Sequence, residues 1–153
     1  MPYSALIVAN YIIAKCNEKE LSISNLRLQK IMYYVQGYFL RAYNECAFDS
    51  NIFNWPYGPV VPDVYFEYCV YGSSEIHFEN ESIETHLDKI KERKHRKLID
   101  EIIEKCSQYT PGGLIDLTHR EKPWKETNRS DLISNSKIMD YFEENNPLDI
   151  KGI

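Results

Sequence analysis

The chain has 153 residues, of which 43% are hydrophobic and 27% charged, and its formal net charge is -5. This length suits one domain that can bury its own core, and the composition is that of an ordinary globular protein and not of a disordered chain. The acidic balance gives no general attraction for nucleic-acid phosphates. No apolar run approaches the roughly 20 residues that span a bilayer, so we expect no membrane partner.

Aromatic residues are concentrated in the first half of the chain, where fifteen of the twenty lie within residues 1–71. Some of them follow helical stripes and are expected in the core: Tyr11, Tyr34, Tyr38, Phe39 and Phe66. Four more are expected around a proline-rich segment at 56–62, where rigid rings would suit recognition of a partner: Tyr33, Trp55, Tyr57 and Tyr65.

The four cysteines are widely spaced and form no CxxC pair for zinc or redox chemistry. Each has apolar or aromatic neighbours, as a small buried hydrophobic side chain would: Cys16, Cys46, Cys69 and Cys106. The apolar stretch 5–14 lacks a cationic flank and a cleavage site, so it is predicted to be a core helix and not a signal peptide. A reducing cytoplasm is the expected location.

In chain order, apolar periodicity first predicts a helix from about Ser4 to Glu18. A second helix follows the cap residue Ser24 and continues to about Asn44. Its wide apolar stripe marks it as the central helix. Gly37 within it costs about 1 kcal/mol against alanine, which suggests the close approach of another backbone.

A short strand or hairpin is predicted within residues 46–55, where apolar and polar residues alternate loosely. Proline lacks an amide hydrogen, so no regular element is expected across 56–59. Pro62 can begin a third helix, from about Val61 to Tyr71, that Gly72 ends.

After a polar stretch at 73–92, the remaining pattern is again helical. It predicts a helix from about Arg93 to Tyr109, a short helix through 114–117 after the cap Thr110, an irregular segment at 119–128, and a helix from Ser136 to Asn145. The predicted fold is mostly α, a single compact domain of about six helices over residues 1–146 with at most a short β-hairpin. Residues 147–153 are expected to form a flexible tail.

The run from Lys89 to Lys97 holds six cations and one acid, and it could contact nucleic acid or an acidic partner. We favour the simpler interpretation, a solvated start of the fourth helix, because no aromatic residues are interleaved with the cations. Nucleic acid is therefore not expected as the main partner. His86 and His95 are expected to be solvated.

Motifs for catalysis and for cofactors are missing from the sequence. No two of the four histidines share metal-ligand spacing, no glycine loop carries the lysine that phosphate binding needs, and no GxSxG nucleophile elbow occurs. We therefore expect no metal, no cofactor and no catalytic residue.

Two clusters remain as candidate sites. In the segment 54–62, three prolines stiffen the backbone, and Trp55 and Tyr57 could anchor a partner; equally, Trp55 could be core and the prolines could cap a helix. In the segment 117–124, His119 and Glu121 suggest a polar site beside the indole of Trp124. A purely structural loop is the favoured alternative there.

These clusters, with the second helix, resemble the SocA-like antitoxin family, also called the Panacea domain, which includes phage-associated and mobile-element proteins. The segment LRLQKIMYYVQG at 26–37 is similar to the family's LKLQKLLYYAQG helix. The segment WPYGPVVP at 55–62 is similar to its W-x-YGPV-x-P turn, and LTHREKPW at 117–124 to its LSH-x-x-x-PW loop. Arg27 and Asn54 are small departures from the family pattern.

The resemblance implies a mostly helical antitoxin that neutralises a toxin encoded nearby by binding it directly. At least one family type acts as an adaptor that delivers its toxin to an ATP-dependent protease, so a protease is a second implied partner. The net acidity would favour a basic toxin. One groove is expected to hold the contact residues, as apolar anchors or polar contacts: Gln29, Tyr33, Trp55, Tyr57, Tyr65, His119, Glu121 and Trp124.

Two other functions stay open at this point. An enzyme-like antitoxin could reverse a toxin's modification with His119 and Glu121 as a general acid–base pair. Alternatively, a phage or mobile-element protein could bind another host target, or nucleic acid through residues 89–97.

Overall fold

The computed structural model describes residues 2–153, which form eight α-helices and three strands. In chain order these are α1 (Ala5–Glu18), α2 (Asn25–Tyr43), β1 (Ile52–Trp55), β2 (Gly58–Val60), α3 (Pro62–Tyr68), α4 (Asn80–Leu87), α5 (Arg93–Cys106), α6 (Pro111–His119), α7 (Lys122–Lys125), β3 (Leu132–Ile133) and α8 (Asn135–Glu144). The mostly helical prediction is confirmed. The extra helices are α4 and α7, which are short and polar and so lack a clear apolar period.

Four helices begin at a side chain that accepts a backbone N–H of the first turn. Ser4, Ser24, Thr110 and Ser134 accept from the residue three positions on, at 3.0–3.3 Å. These bonds satisfy N–H groups that have no partner inside the helix. At the other end of α2, Asn44 adopts a left-handed conformation, which stops the helix where the sequence predicted.

The core is built around α2, in which every residue from 27 to 40 is buried. This helix packs against α1, α5, α6 and α8 and against strand β2. The prediction of a central helix is therefore confirmed, and its surroundings are apolar on most sides. Polar groups on α2 must consequently find partners inside the protein.

Gly37 provides room for an aromatic ring, not for another backbone as the sequence suggested. A Cβ atom at Gly37 would lie 2.3 Å from Cε2 of Phe142 on α8. The Phe142 ring is itself fixed by edge-to-face contacts with Tyr33, Tyr34 and Tyr38. The packing of α8 on α2 therefore depends on this glycine.

The three strands form one antiparallel sheet in the order β2-β1-β3. In the hairpin, Trp55 pairs with Gly58 and Asn54 with Pro59. As the sequence predicted, no regular element crosses 56–59, because a turn at 56–57 separates β1 from β2; β2 nevertheless begins at Gly58 and includes Pro59. Proline is tolerated there because β2 is an edge strand.

The C-terminal residues differ from the flexible tail that the sequence predicted. Leu148 and Ile150 are buried in the core. The hydroxyl of Tyr38 accepts from the Leu148 N–H at 2.9 Å and donates to Asn146 Oδ1 at 2.7 Å. The segment after α8 is thus docked on α2 by both apolar contacts and hydrogen bonds.

Three further side chains differ in exposure from the sequence prediction. Phe66 and Cys69 are exposed. Phe66 lies on α3 and Cys69 on the 3-10 turn that follows it (Cys69–Tyr71), and both are on the side that points away from the core. His95 is buried, where it bonds the Tyr3 hydroxyl at 2.7 Å and the Glu92 carboxylate at 3.0 Å. Within residues 2–153, no helix is long and apolar enough to cross a membrane.

We expect Gly37→Ala to lower the free energy of unfolding by about 1–3 kcal/mol, because the new methyl group overlaps the packed Phe142 ring. Gly112→Ala is the matched control, since no atom lies within 4 Å of a Cβ there. That control should leave stability unchanged or raise it by up to about 1 kcal/mol, because alanine favours the helix over glycine. Urea unfolding of both variants measures this, and equal midpoints would contradict the proposed packing role of Gly37.

Candidate functional site

The face of α2 that meets the hairpin carries Gln29 and Lys30. Gln29 is 1% exposed; its Oε1 accepts from the Val61 N–H at 2.9 Å and its Nε2 donates to Asn25 Oδ1 at 3.0 Å. The Gln29 side chain therefore caps the outer edge of the hairpin. It was expected to contact a partner, but its amide is already hydrogen-bonded within the protein.

Lys30 is fully buried beside Gln29, and its Nζ donates to the Pro59 carbonyl at 2.8 Å. No carboxylate in residues 2–153 lies within 4.0 Å of this ammonium group. Burial lowers the pKa of Lys30 to about 7. Gly58 makes the approach possible, because a Cβ there would lie 2.9 Å from Nζ.

One turn further along α2, two tyrosines bind the loop that follows α6. The hydroxyls of Tyr33 and Tyr34 donate to the two carboxylate oxygens of Glu121, each at 2.8 Å. Glu121 is 1% exposed, and burial raises its pKa to about 7. Tyr33 and Glu121 are therefore interior groups, and the expectation that they contact a partner is wrong.

His119, the last residue of α6, and Trp124 on α7 lie on either side of this loop. Their rings stack with centroids 3.9 Å apart, and Trp124 Nε1 donates to the Trp55 carbonyl at 2.9 Å. His119 Nε2 is buried and has no hydrogen-bond partner among the described residues. The favoured interpretation of a structural loop fits this geometry, since the stack fixes the hairpin from behind.

A surface cleft lies between the start of α2, the hairpin and α3. We call it the aromatic cleft; it has a volume of about 350 Å³, and its walls include Leu26, Trp55, Pro56, Tyr57, Tyr65 and Cys69. Tyr57 is 67% exposed, whereas Trp55 and Tyr65 are half-buried and contact each other edge to face at 5.1 Å. Buried Gln29 lies at its floor.

Two exposed apolar residues that the sequence did not indicate lie on α3 and on the turn that follows it. Phe66 is 64% exposed and Val70 is 85% exposed. The Phe66 ring lies 5.4 Å from that of Tyr65 and 6.1 Å from that of Trp55. The signal was available, because Phe66 and Val70 are four residues apart and opposite the buried Val64 and Tyr68.

Of the eight expected contact residues, the structure brings Trp55, Tyr57 and Tyr65 together at the surface. Trp124 and His119 support this cluster from behind, and the other three side chains are interior.

A separate question is metal binding. Among residues 2–153, no group of three His, Cys, Asp or Glu side chains is placed to hold a metal ion.

A comparison with known proteins finds a family that matches this region. The family described as antitoxin SocA-like, Panacea domain, matches residues 28–125, which contain the α2 face, the hairpin and the 117–124 loop. A 61-residue segment is 38% identical to Antitoxin SocA of Caulobacter vibrioides (strain NA1000 / CB15N). The segment covers 40% of this chain and 32% of that protein, about a third of its length. No solved structure matches the chain.

The buried carboxyl of Glu121 should make stability depend on pH. Its pKa is raised from 4.5 to about 7, so the folded state binds a proton more tightly than the unfolded state. The free energy of unfolding should therefore fall as pH rises from about 4.5 to about 7, by about 3 kcal/mol from this group. The lowered pKa of Lys30 makes stability depend on pH only above this pH range.

Urea unfolding at about pH 5 and about pH 7 measures this contribution. Glu121→Gln should remove it, so the variant loses less stability than the wild type over that interval. Glu126→Gln, at an exposed position five residues on, should keep the wild-type dependence. An unchanged pH dependence in Glu121→Gln would show that the carboxyl is not titrating in the core.

Proposed function

Because the chain belongs to the SocA-like antitoxin family, we propose that it neutralises a cognate toxin by binding the toxin directly through the aromatic cleft. The family membership supports the antitoxin role. The proposal that the toxin binds at this cleft is supported by the exposed aromatic rings around it, those of Tyr57 and Phe66. Contiguous exposed apolar surface of this kind is typical of protein interaction sites.

The cleft is suited to binding because its walls are held rigidly. Bonds from Lys30 to Pro59, from Gln29 to Val61 and from Trp124 to Trp55 fix the hairpin before any partner arrives. A pre-organised surface loses little conformational entropy on binding. Aromatic side chains add large contact areas with few rotatable bonds, which is why they are common among interface hot spots.

Charge supports a basic toxin as the partner. The chain has a net charge of -5, and the exposed side chains of Asp63 and Glu67 lie on α3, the helix that forms one wall of the cleft. An apolar centre with acidic residues beside it would attract a basic partner and orient it.

The proposed mechanism is stoichiometric binding and not turnover. A general acid–base pair has to reach the reacting group of a substrate. Glu121 is buried with both oxygens bonded to tyrosine hydroxyls, and His119 is stacked on Trp124. These contacts favour a structural role for both residues over an enzyme-like antitoxin.

Co-expression with the toxin encoded by the neighbouring gene tests the cleft. Tyr57→Ala and Phe66→Ala should each weaken toxin binding by about tenfold or more, because each removes an exposed aromatic anchor. Leu132→Ala is the control, since Leu132 is also apolar and 44% exposed but does not line the cleft. Growth rescue and titration calorimetry provide the measurements.

Full neutralisation by both cleft variants, with binding unchanged, would remove the aromatic cleft as the toxin site. Rescue by an amount of antitoxin far below that of the toxin would instead favour turnover. Thermal unfolding of each variant separates lost binding from lost folding, because Tyr57 and Phe66 are mostly exposed and their removal should leave the core intact.

Delivery of the bound toxin to an ATP-dependent protease is a second part of the proposal, supported by the family resemblance. If the chain acts as an adaptor, the toxin half-life should fall when the chain is co-expressed, and this fall should disappear in cells that lack the protease. A toxin that is equally long-lived with and without the chain would restrict the function to direct inhibition. Translation-stop chase experiments measure the half-life.

A further inference from the structure

A second cleft lies where the end of α2 meets the start of α5 and the C-terminal residues. We call it the basic cleft; it has a volume of about 530 Å³ and shares no lining residue with the aromatic cleft. Four cations line it, namely Arg41, Lys94, Lys97 and Lys151. Only Lys94 and Lys97 come from the run of cations in the sequence, and folding adds the other two.

The charge of this cleft is largely uncompensated. Within residues 2–153, Lys94 and Lys97 have no carboxylate within 4.0 Å. Arg41 is held inside the protein, because its guanidinium donates to the carbonyls of Phe142, Asn145 and Ile153 at 3.0–3.1 Å. The one acid in the lining, Glu101, already accepts the Lys151 N–H at 3.0 Å. Lys151 itself pairs with Asp149 at 3.6 Å, but both side chains are 78% exposed, so a partner could displace this pair.

The start of α5 argues against a merely solvated helix end. The first turn of α5 has no acidic residue, although an acidic side chain there would be favoured by the helix dipole. Instead Arg93 and Lys94 add positive charge to an already positive helix terminus. The one acid at this terminus is Glu92, which precedes the helix and pairs with His95 at 3.0 Å.

The floor of the basic cleft is apolar. Leu98 and Ile150 are buried there, and Ala42 and Ile153 also line it. The ring of Tyr43 forms a wall, with Lys94 Nζ over it at 4.8 Å. A duplex backbone would need a long cationic surface, whereas an apolar floor with a cationic rim suits a short peptide with both acidic and apolar side chains.

We propose that the basic cleft binds an acidic linear segment of a second protein, whose carboxylates pair with the exposed Lys94 and Lys97 and whose apolar side chain contacts the floor. Because the two clefts share no lining residue, this partner could bind while the aromatic cleft is occupied. The site is independent of the proposed toxin contact, and each can be tested without the other.

Fluorescence anisotropy with a labelled peptide of Glu-Glu-Leu repeats tests the proposal. The wild type should bind this peptide, and Lys94→Glu/Lys97→Glu should weaken binding by at least about tenfold, because attraction becomes repulsion. Lys89→Glu/Lys91→Glu changes the net charge equally but lies outside the cleft, so it should change affinity by less than about twofold. A Glu-Glu-Ser peptide should bind the wild type more weakly than Glu-Glu-Leu.

Folding is not at risk in the key variant, because Lys94 and Lys97 are both exposed, and an acidic residue at position 94, in the first turn of α5, is favoured by the helix dipole. The comparison of the Glu-Glu-Leu and Glu-Glu-Ser peptides uses the wild type alone, so it does not depend on the folding of any variant. An equal loss of peptide affinity in both double variants would mean that net charge alone causes the effect, and it would overturn the proposal. Tighter binding of a labelled single-stranded oligonucleotide than of the peptide, or no peptide binding by the wild type, would also overturn it.

Discussion

The buried ammonium group of Lys30 joins the central helix to the hairpin that supports the aromatic cleft. Removing a lysine from water is unfavourable, and here one carbonyl, that of Pro59, is its hydrogen-bond partner. The bond requires Gly58, because any side chain at that position would occupy the space of the ammonium group. With Gln29 bonded to Val61, this contact satisfies the outer edge of β2 and holds the aromatic rings at fixed positions.

The same helix face explains why three separated motifs occur together in the sequence. Tyr33 and Tyr34 hold the carboxylate of Glu121, and Trp124 in turn bonds the backbone of Trp55. The α2 face, the hairpin and the 117–124 loop are thus one hydrogen-bonded unit. Because each buried polar group depends on another motif for its partner, a change in one motif would leave an unsatisfied group in another.

The surface around this interior has two clefts of different chemistry. The aromatic cleft offers apolar rings beside acidic residues on α3, whereas the basic cleft offers cations above an apolar floor. Segregation of this kind lets a small acidic protein present a positive site locally, because screening confines each charge to its own neighbourhood. Because the two clefts share no lining residue, the two proposed partners could bind at the same time.

Local patterns in the sequence determined the long helices, their caps at Ser4, Ser24 and Thr110, and the three motifs, because these depend on neighbouring residues and on periodicity. The short helices α4 and α7 lacked that periodicity and could not be predicted. Only the tertiary structure decided which polar motif residues are interior: Tyr33 and Glu121 are 88 residues apart, and their pairing arises from packing. It also decided that Phe66 is exposed and that Arg41 joins the basic run, because exposure and long-range proximity follow from how the elements pack and not from their local order.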